Sequence, residues 1–128
     1  MTIVGIGIDL VSVERVRTIT QRWKDRFLDR VYSDAERREC FRRTTPYVSL
    51  AGRFAAKEAI LKALGVGWAA GVRWQDVQVL NDAKGQPVAR VHGHVRSMIE
   101  AAGITKIHVS LSHDGNYALA QAILTKET

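Results

Sequence analysis

The order of hydrophobic periods along this 128-residue sequence predicts an α+β fold, a single compact domain over residues 1–128 with helices packed on a small, mainly antiparallel sheet. Three observations predict it. An apolar strand opens the chain, helical patterns fill the rest of the first half, and hairpin patterns dominate the second.

The opening strand lies in "TIVGIGIDLVSVERVR", which starts at Thr2. Over 3–10, Val4, Ile6, Ile8 and Leu10 share one face at period two, as in a buried or half-buried strand. The other face carries Ile3, Gly5, Gly7, Asp9 and Val11. Two glycines on one face mark a close approach to the backbone. A carboxylate beside that space needs a cation or donors, unless Asp9 simply caps the helix that follows.

That helix runs from about Ser12, its N-cap, to Thr20. A second helical piece, 25–28, leads to Val31. "SDAERRECFRR" opens with a capping box, Ser33 with Glu36 three residues on, and begins another helix. Pro46 closes this region. The longest helical pattern spans Tyr47 to Leu64 and is stopped by Gly65 and Gly67. Residues 72–82 read as a strand, 83–87 as a turn and 88–93 as the partner strand. A short helix, 94–103, precedes two strands, 106–112 and 117–124, joined by "HDGN".

Composition narrows the class. Hydrophobic residues make up 46% of the chain, charged residues 25%, and there are two prolines, which describes a folded globular protein. No apolar run approaches the ~20 residues that span a bilayer, and no basic stretch with a signal-peptide core precedes the first strand. A cytoplasmic setting is expected. The single cysteine, Cys40, excludes an internal disulfide and any multi-cysteine zinc site, and reads as a packing residue. The net charge is +6, and ten of the Lys and Arg residues fall between Arg15 and Arg43 against five acids. Such a surface attracts a polyanion: nucleic acid, anionic membrane or acidic protein.

The chemistry concentrates in "SLAGRFAAKEAILKALG", 49–65. On a helical wheel Glu58 and Lys62 fall among Phe54, Leu61, Ala51, Ala55 and Ala59 rather than on a polar face. An ordinary i,i+4 salt bridge, worth roughly a few tenths of a kcal/mol, would have polar neighbours. Apolar neighbours argue for a semi-buried pair at a site. Asp9 and Glu58 together could hold a hard cation through oxygen, and magnesium suits two carboxylates better than calcium. Zinc would need His and Cys. Lys62, one turn beyond Glu58, would face a phosphate as a point charge. Metal, lysine and phosphate are the equipment of phosphoryl transfer. His113 stands at a strand end, where loops present functional groups. Ser112, His113 and Asp114 are adjacent and lack a G-x-S-x-G elbow, so no hydrolase triad is read here. His92, His94 and His108 read as structural.

Three blocks, "GIGIDLVSVERV", "RFAAKEAILKALGVG" and "VSLSHDGNYALA", resemble in order and spacing the signatures of the holo-(acyl-carrier-protein) synthase family, the small 4'-phosphopantetheinyl transferases. The hairpin "VQVLNDAKGQPVARVHG" resembles the family's as well, so the likeness spans essentially the whole chain. It implies transfer of the phosphopantetheine arm of coenzyme A to a serine of an apo acyl carrier protein, with release of adenosine 3',5'-bisphosphate, in support of fatty acid biosynthesis. By position, Asp9 and Glu58 match the family's magnesium ligands and Lys62 its pyrophosphate lysine. Arg53, Gly65 and His113 match positions that touch coenzyme A. Arg15, Arg22 and Arg26 match the surface that meets the acidic carrier. The likeness further implies a homotrimer with sites between neighbouring subunits, so that His113 serves the adjacent pocket. The glycines would then leave room for the magnesium. For the group that takes the serine proton, Glu58 through a water held by the metal, Asp114 and His113 all stay open.

Two rivals share parts of this evidence. A small nucleic-acid-binding module explains the arginines, but the chain has no RNP-like strand and no zinc-finger spacing. A magnesium-dependent phosphohydrolase shares the metal site and would act on simple esters.

Overall fold

The structure is a computed structural model that describes residues 1–68 and 71–128. Strand β1 (Thr2–Ser12) leads into helices α1 (Val13–Trp23), α2 (Asp25–Val31), α3 (Asp34–Phe41) and α4 (Tyr47–Leu64). A short 3-10 turn at Trp74–Asp76 precedes β2 (Val77–Asn81) and β3 (Pro87–Val91), and α5 (Gly93–Ala101) precedes β4 (Lys106–Asp114) and β5 (Tyr117–Lys126). Two sheets result, both antiparallel: β1-β5-β4, and the β2-β3 hairpin.

Local chemistry sets the boundaries. Ser12 caps α1 by accepting from the Arg15 amide at 3.1 Å. Ser33 and Glu36 form the reciprocal capping box of α3. Gly65, at φ 79°, ends α4 in the left-handed region that a Cβ would disfavour. The expected strand over 72–82 starts only at Val77, because Asp76 turns back to accept from the Arg73 amide at 3.1 Å and winds a 3-10 turn. The "HDGN" loop is shorter than expected: β4 continues through Asp114, leaving Gly115 and Asn116 as the turn. Asn116 also caps α1. Its carbonyl accepts from Val13 N at 2.7 Å, its side-chain oxygen accepts from Glu14 N at 2.9 Å, and its amide donates to Ser12 Oγ at 3.0 Å.

Helix α4 lies on the sheet at unusually close range. A Cβ built on Gly5 or Gly7 would overlap the carbonyl oxygens of Ala63 and Ala59, and at Gly7 it would stand 2.8 Å from Ala63 N. The close approach that the glycines announced is therefore the backbone of α4, and the expected space for a metal beside them is filled by that helix. Small residues permit it on both sides: Ala55, Ala56 and Ala59 on the helix, and Ala118, Ala120 and Ala122 on β5, all buried. Ile60, Leu61, Val77, Val79, Val95 and Leu124 pack with these alanines in the main core, apart from Ala118, which joins a second cluster. That cluster, with Val16, Leu28, Val31, Tyr32, Cys40 and Leu50, seats α1 to α3 against the first half of α4. Burial raises the Cys40 thiol pKa, consistent with a packing role.

With α4 on one side of the sheet, the other side of β1 has no cover among the described residues. Ile6, Ile8 and Leu10 are 59%, 55% and 61% exposed, and Val4 and Leu119 are also exposed. Val4, Ile6, Ile8 and Leu10 do share one face, as the period of two predicts, but that face is exposed rather than buried. The inner face is the one with Gly5, Gly7, Asp9 and Val11.

One ion pair lies entirely inside the protein. Lys57 Nζ donates to Glu36 Oε1 at 2.9 Å, to Trp74 O at 3.2 Å and to Val77 O, using all three of its protons. Glu36 Oε2 accepts from Val79 N at 2.8 Å. Burial lowers the Lys57 pKa, and Glu36 opposes that shift. The pair ties α3 and α4 to β2, and removing one partner would leave a bare buried charge at a cost of about 3–5 kcal/mol.

Candidate active site

The glycine crossing of β1 and α4 is what builds the site. It brings the end of α4 beside the end of β1, where Lys62 Nζ donates to Asp9 Oδ1 at 2.9 Å and to Ile8 O at 3.1 Å. The Asp9 side chain is 15% exposed and that of Lys62 52%. The hydrogen bond to Asp9 raises the Lys62 pKa, slight desolvation opposes it, and the charges of Asp9 and Glu58 add to the rise. Lys62 therefore pairs across to Asp9 rather than along the helix to Glu58. Glu58, half-buried, accepts instead from the indole Nε1 of Trp68 at 2.9 Å. Asp9 is not the cap of α1; Ser12 is.

Two carboxylates and one ammonium thus share a partly open corner. No group of three or more His, Cys, Asp or Glu that could hold a metal occurs among the described residues. The donor set fits an ion content with two protein oxygens and otherwise held by water or substrate oxygen, which describes magnesium and not zinc. Asp9 already carries a cationic partner in Lys62, as a carboxylate in a narrow space requires.

Arg53 and His113 stand elsewhere. They line a groove of about 490 Å³ with Thr44, Ser49, Asn81 and Ser112. Arg53 is buried; it donates to Ser49 Oγ at 2.9 Å and is ion-paired with Glu39, while its Nε has no partner among the described residues. Glu39 also accepts from Asn81 N at 2.9 Å, so the groove wall is braced from three elements. His113 is exposed near the end of β4. Asp9 pairs with Ala120 of β5, which pairs with Leu111 of β4, two residues before His113. Asp9 and His113 therefore occupy opposite outer strands, two strand spacings or ~10 Å apart across the sheet. A single chain does not bring the two groups together. Gly65 follows Lys62 closely, and its amide donates to the Lys62 carbonyl at 3.1 Å.

Of the basic residues, Arg15 and Arg22 lie on α1 and Arg26 on α2, all exposed. The helix breaks at Lys24, whose φ is 48°, so one continuous face through Arg26 is not formed. Trp23 restores the neighbourhood: Arg22 lies 5.2 Å and Arg26 5.4 Å from its ring centroid.

Sequence reasoning missed Glu36–Lys57 and Trp68. Lys57 sits on the wheel between Leu50, Leu61 and Leu64, and that signal was available. Nothing in the spacing marks Trp68, which reaches Glu58 only because the chain turns back at Gly65.

The family model of the 4'-phosphopantetheinyl transferase superfamily matches residues 5–122, and the chain belongs to that superfamily. The chain is 44% identical over 120 residues to the holo-(acyl-carrier-protein) synthase of Syntrophus aciditrophicus, covering 94% of each. Within the superfamily it is thus a member of the holo-(acyl-carrier-protein) synthase family. The crystal structure of such a synthase from Neisseria meningitidis superposes with TM-score 0.89 at 31% identity, over 98% of this chain and 100% of that one. The synthase of Helicobacter pylori, solved in complex with coenzyme A, gives 0.83 at 32% identity, over 94% and 99%.

Proposed function

We propose that this chain, as one transferase domain over residues 1–128, moves the 4'-phosphopantetheine arm of coenzyme A to a serine of an apo acyl carrier protein. The observation that carries the reading is the Asp9–Lys62 ion pair beside Glu58 at the glycine crossing, in a chain of this family. The coenzyme A complex of the Helicobacter pylori relative supports the donor. Fatty acid biosynthesis in the cytoplasm is the setting this reaction implies. Among the described residues no helix is long and apolar enough to cross a membrane.

In this reading Asp9 and Glu58 hold Mg²⁺, which when bound offsets charge on the pyrophosphate. The serine Oγ attacks the phosphorus that bears the pantetheine arm. The bond from that phosphorus to the bridging oxygen breaks, and adenosine 3',5'-bisphosphate leaves. Lys62, relieved of Asp9, stabilises the charge that grows on the leaving bisphosphate. The serine proton passes to one of three groups: Glu58 through an intervening water, Asp114 or His113. Arg53, Gly65 and His113 hold coenzyme A, with His113 offered to the corner of an adjacent subunit. The separation of Asp9 from His113 across the sheet supports a site made between copies, and the bare apolar face of β1 supports a homotrimer. Arg15, Arg22 and Arg26 receive the acidic carrier.

Mass spectrometry tests the reading. Protein, coenzyme A, Mg²⁺ and an apo carrier should yield a carrier heavier by about 340 Da, the mass of the arm. An unmodified carrier, or free phosphate released from simple esters instead, would refute it.

A further inference from the structure

We propose that Trp68 is the positioning residue of Glu58, aiming one carboxylate oxygen so that the other is presented to the cation; this rests on the reading of Glu58 given above. The indole Nε1 donates to Oε1 at 2.9 Å, and Oε2 has no hydrogen bond among the described residues. An indole N–H is a donor only and carries no charge. It can therefore orient a carboxylate without competing as a ligand and without neutralising it, as a lysine would.

What holds Trp68 is itself ordered. Its ring stacks on Trp74 with centroids 3.6 Å apart and planes 25° apart, and Trp74 packs on Phe54 at 4.7 Å and 31°. Phe54 and Glu58 are one turn apart on α4, on the same side of the helix. Phe54, Trp74, Trp68 and Glu58 thus close a ring that starts and ends on α4. The backbone of Trp74 is fixed as well, since its carbonyl accepts from Lys57 at 3.2 Å and Lys57 is locked to Glu36. At the other end the Gly65 cap turns the chain back, with Val66 N donating to Leu61 O at 3.1 Å, and this return lays Trp68 beside the helix. Glutamate has three side-chain torsions that sample several wells in solvent; anchoring one oxygen removes most of that choice. A partner that orients a metal ligand typically changes affinity or rate by roughly tenfold or more.

Trp68→Phe keeps an aromatic ring on Trp74 and deletes the donor together with the second ring of the indole. It should lower kcat roughly tenfold and raise the Mg²⁺ concentration for half-maximal rate by a similar factor, while the carrier's KM stays unchanged and the fold, read by its circular dichroism, is kept with a modestly lower melting temperature. A second measurement is independent of activity. Nitrogen–proton spectra carry one indole signal for each of Trp23, Trp68 and Trp74, and Trp68→Phe identifies the one that belongs to Trp68. In Glu58→Ala, whose tryptophans are all native, that signal should move upfield. A signal that does not move, or a moved signal with wild-type kinetics in Trp68→Phe, overturns the positioning role. A wild-type chain that leaves the carrier unmodified removes the functional reading instead, and the proposal with it.

Discussion

A methyl group is enough to spoil the crossing at Gly7. Gly7→Ala would drive a Cβ into the Ala59 carbonyl, with no flexible side chain to give way. We expect a loss of about 3 kcal/mol or more, seen as a lower midpoint in urea at unchanged slope. Residual transfer should fall too, because the helix that moves carries Lys62 away from Asp9. Asp9→Ala and Glu58→Ala should each lose at least about two orders of magnitude in transfer rate, since a two-carboxylate site has no spare ligand. Lys62→Arg should rescue little of the deficit of Lys62→Ala, as a planar fork does not replace a compact ammonium. Near-native rates in any of these, measured at ordinary Mg²⁺, would defeat the assignment. Asp9, Glu58 and Lys62 were legible as polar residues set among apolar ones. Their pairing was not, because a wheel describes one helix and the partner of Lys62 arrives from a strand fifty-three residues away.

Helix boundaries were the most readable elements, since caps are local chemistry: the span of α4 and the caps at Ser12, Ser33 and Gly65 agree with the structure. The start of β2 was not readable, because a side-chain turn at Asp76 overrode an alternating pattern. Which face of β1 is covered was only partly readable, for a different reason. Alternation tells two faces apart but cannot tell which one a helix will cover, and the glycines marked the covered side. At this scale the basic surface makes its own prediction. Arg22→Glu, which also removes one of the two guanidiniums on Trp23, should raise the carrier's KM several-fold and leave that of coenzyme A nearly unchanged. The carrier's KM should climb with salt, since exposed charges are screened beyond ~10 Å at 0.1 M. An unchanged KM at low salt would mean that the arginines serve another partner.

For the whole molecule, the exposed apolar side of β1 sets the expectation. Ile8→Asp puts a charge at the middle of that face and should return a particle near the 14.3 kDa of one chain in light scattering, with transfer lost because the two halves of the site part. A wild-type protein that is an active monomer at that mass would contradict the shared site. The Asn116 cap has a further consequence. The turn that follows His113 holds the amides of Val13 and Glu14, so the hairpin that lines the Arg53 groove and the basic helix α1 are fastened at one residue. Their fraying is a single event. A carrier seated on α1 should therefore slow hydrogen exchange at Val13 and Glu14 and also in the 112–118 hairpin it does not touch, while Asn116→Ala, which deletes the bonds to Glu14 and Ser12 but keeps the backbone bond from Val13, should weaken that coupling at Glu14.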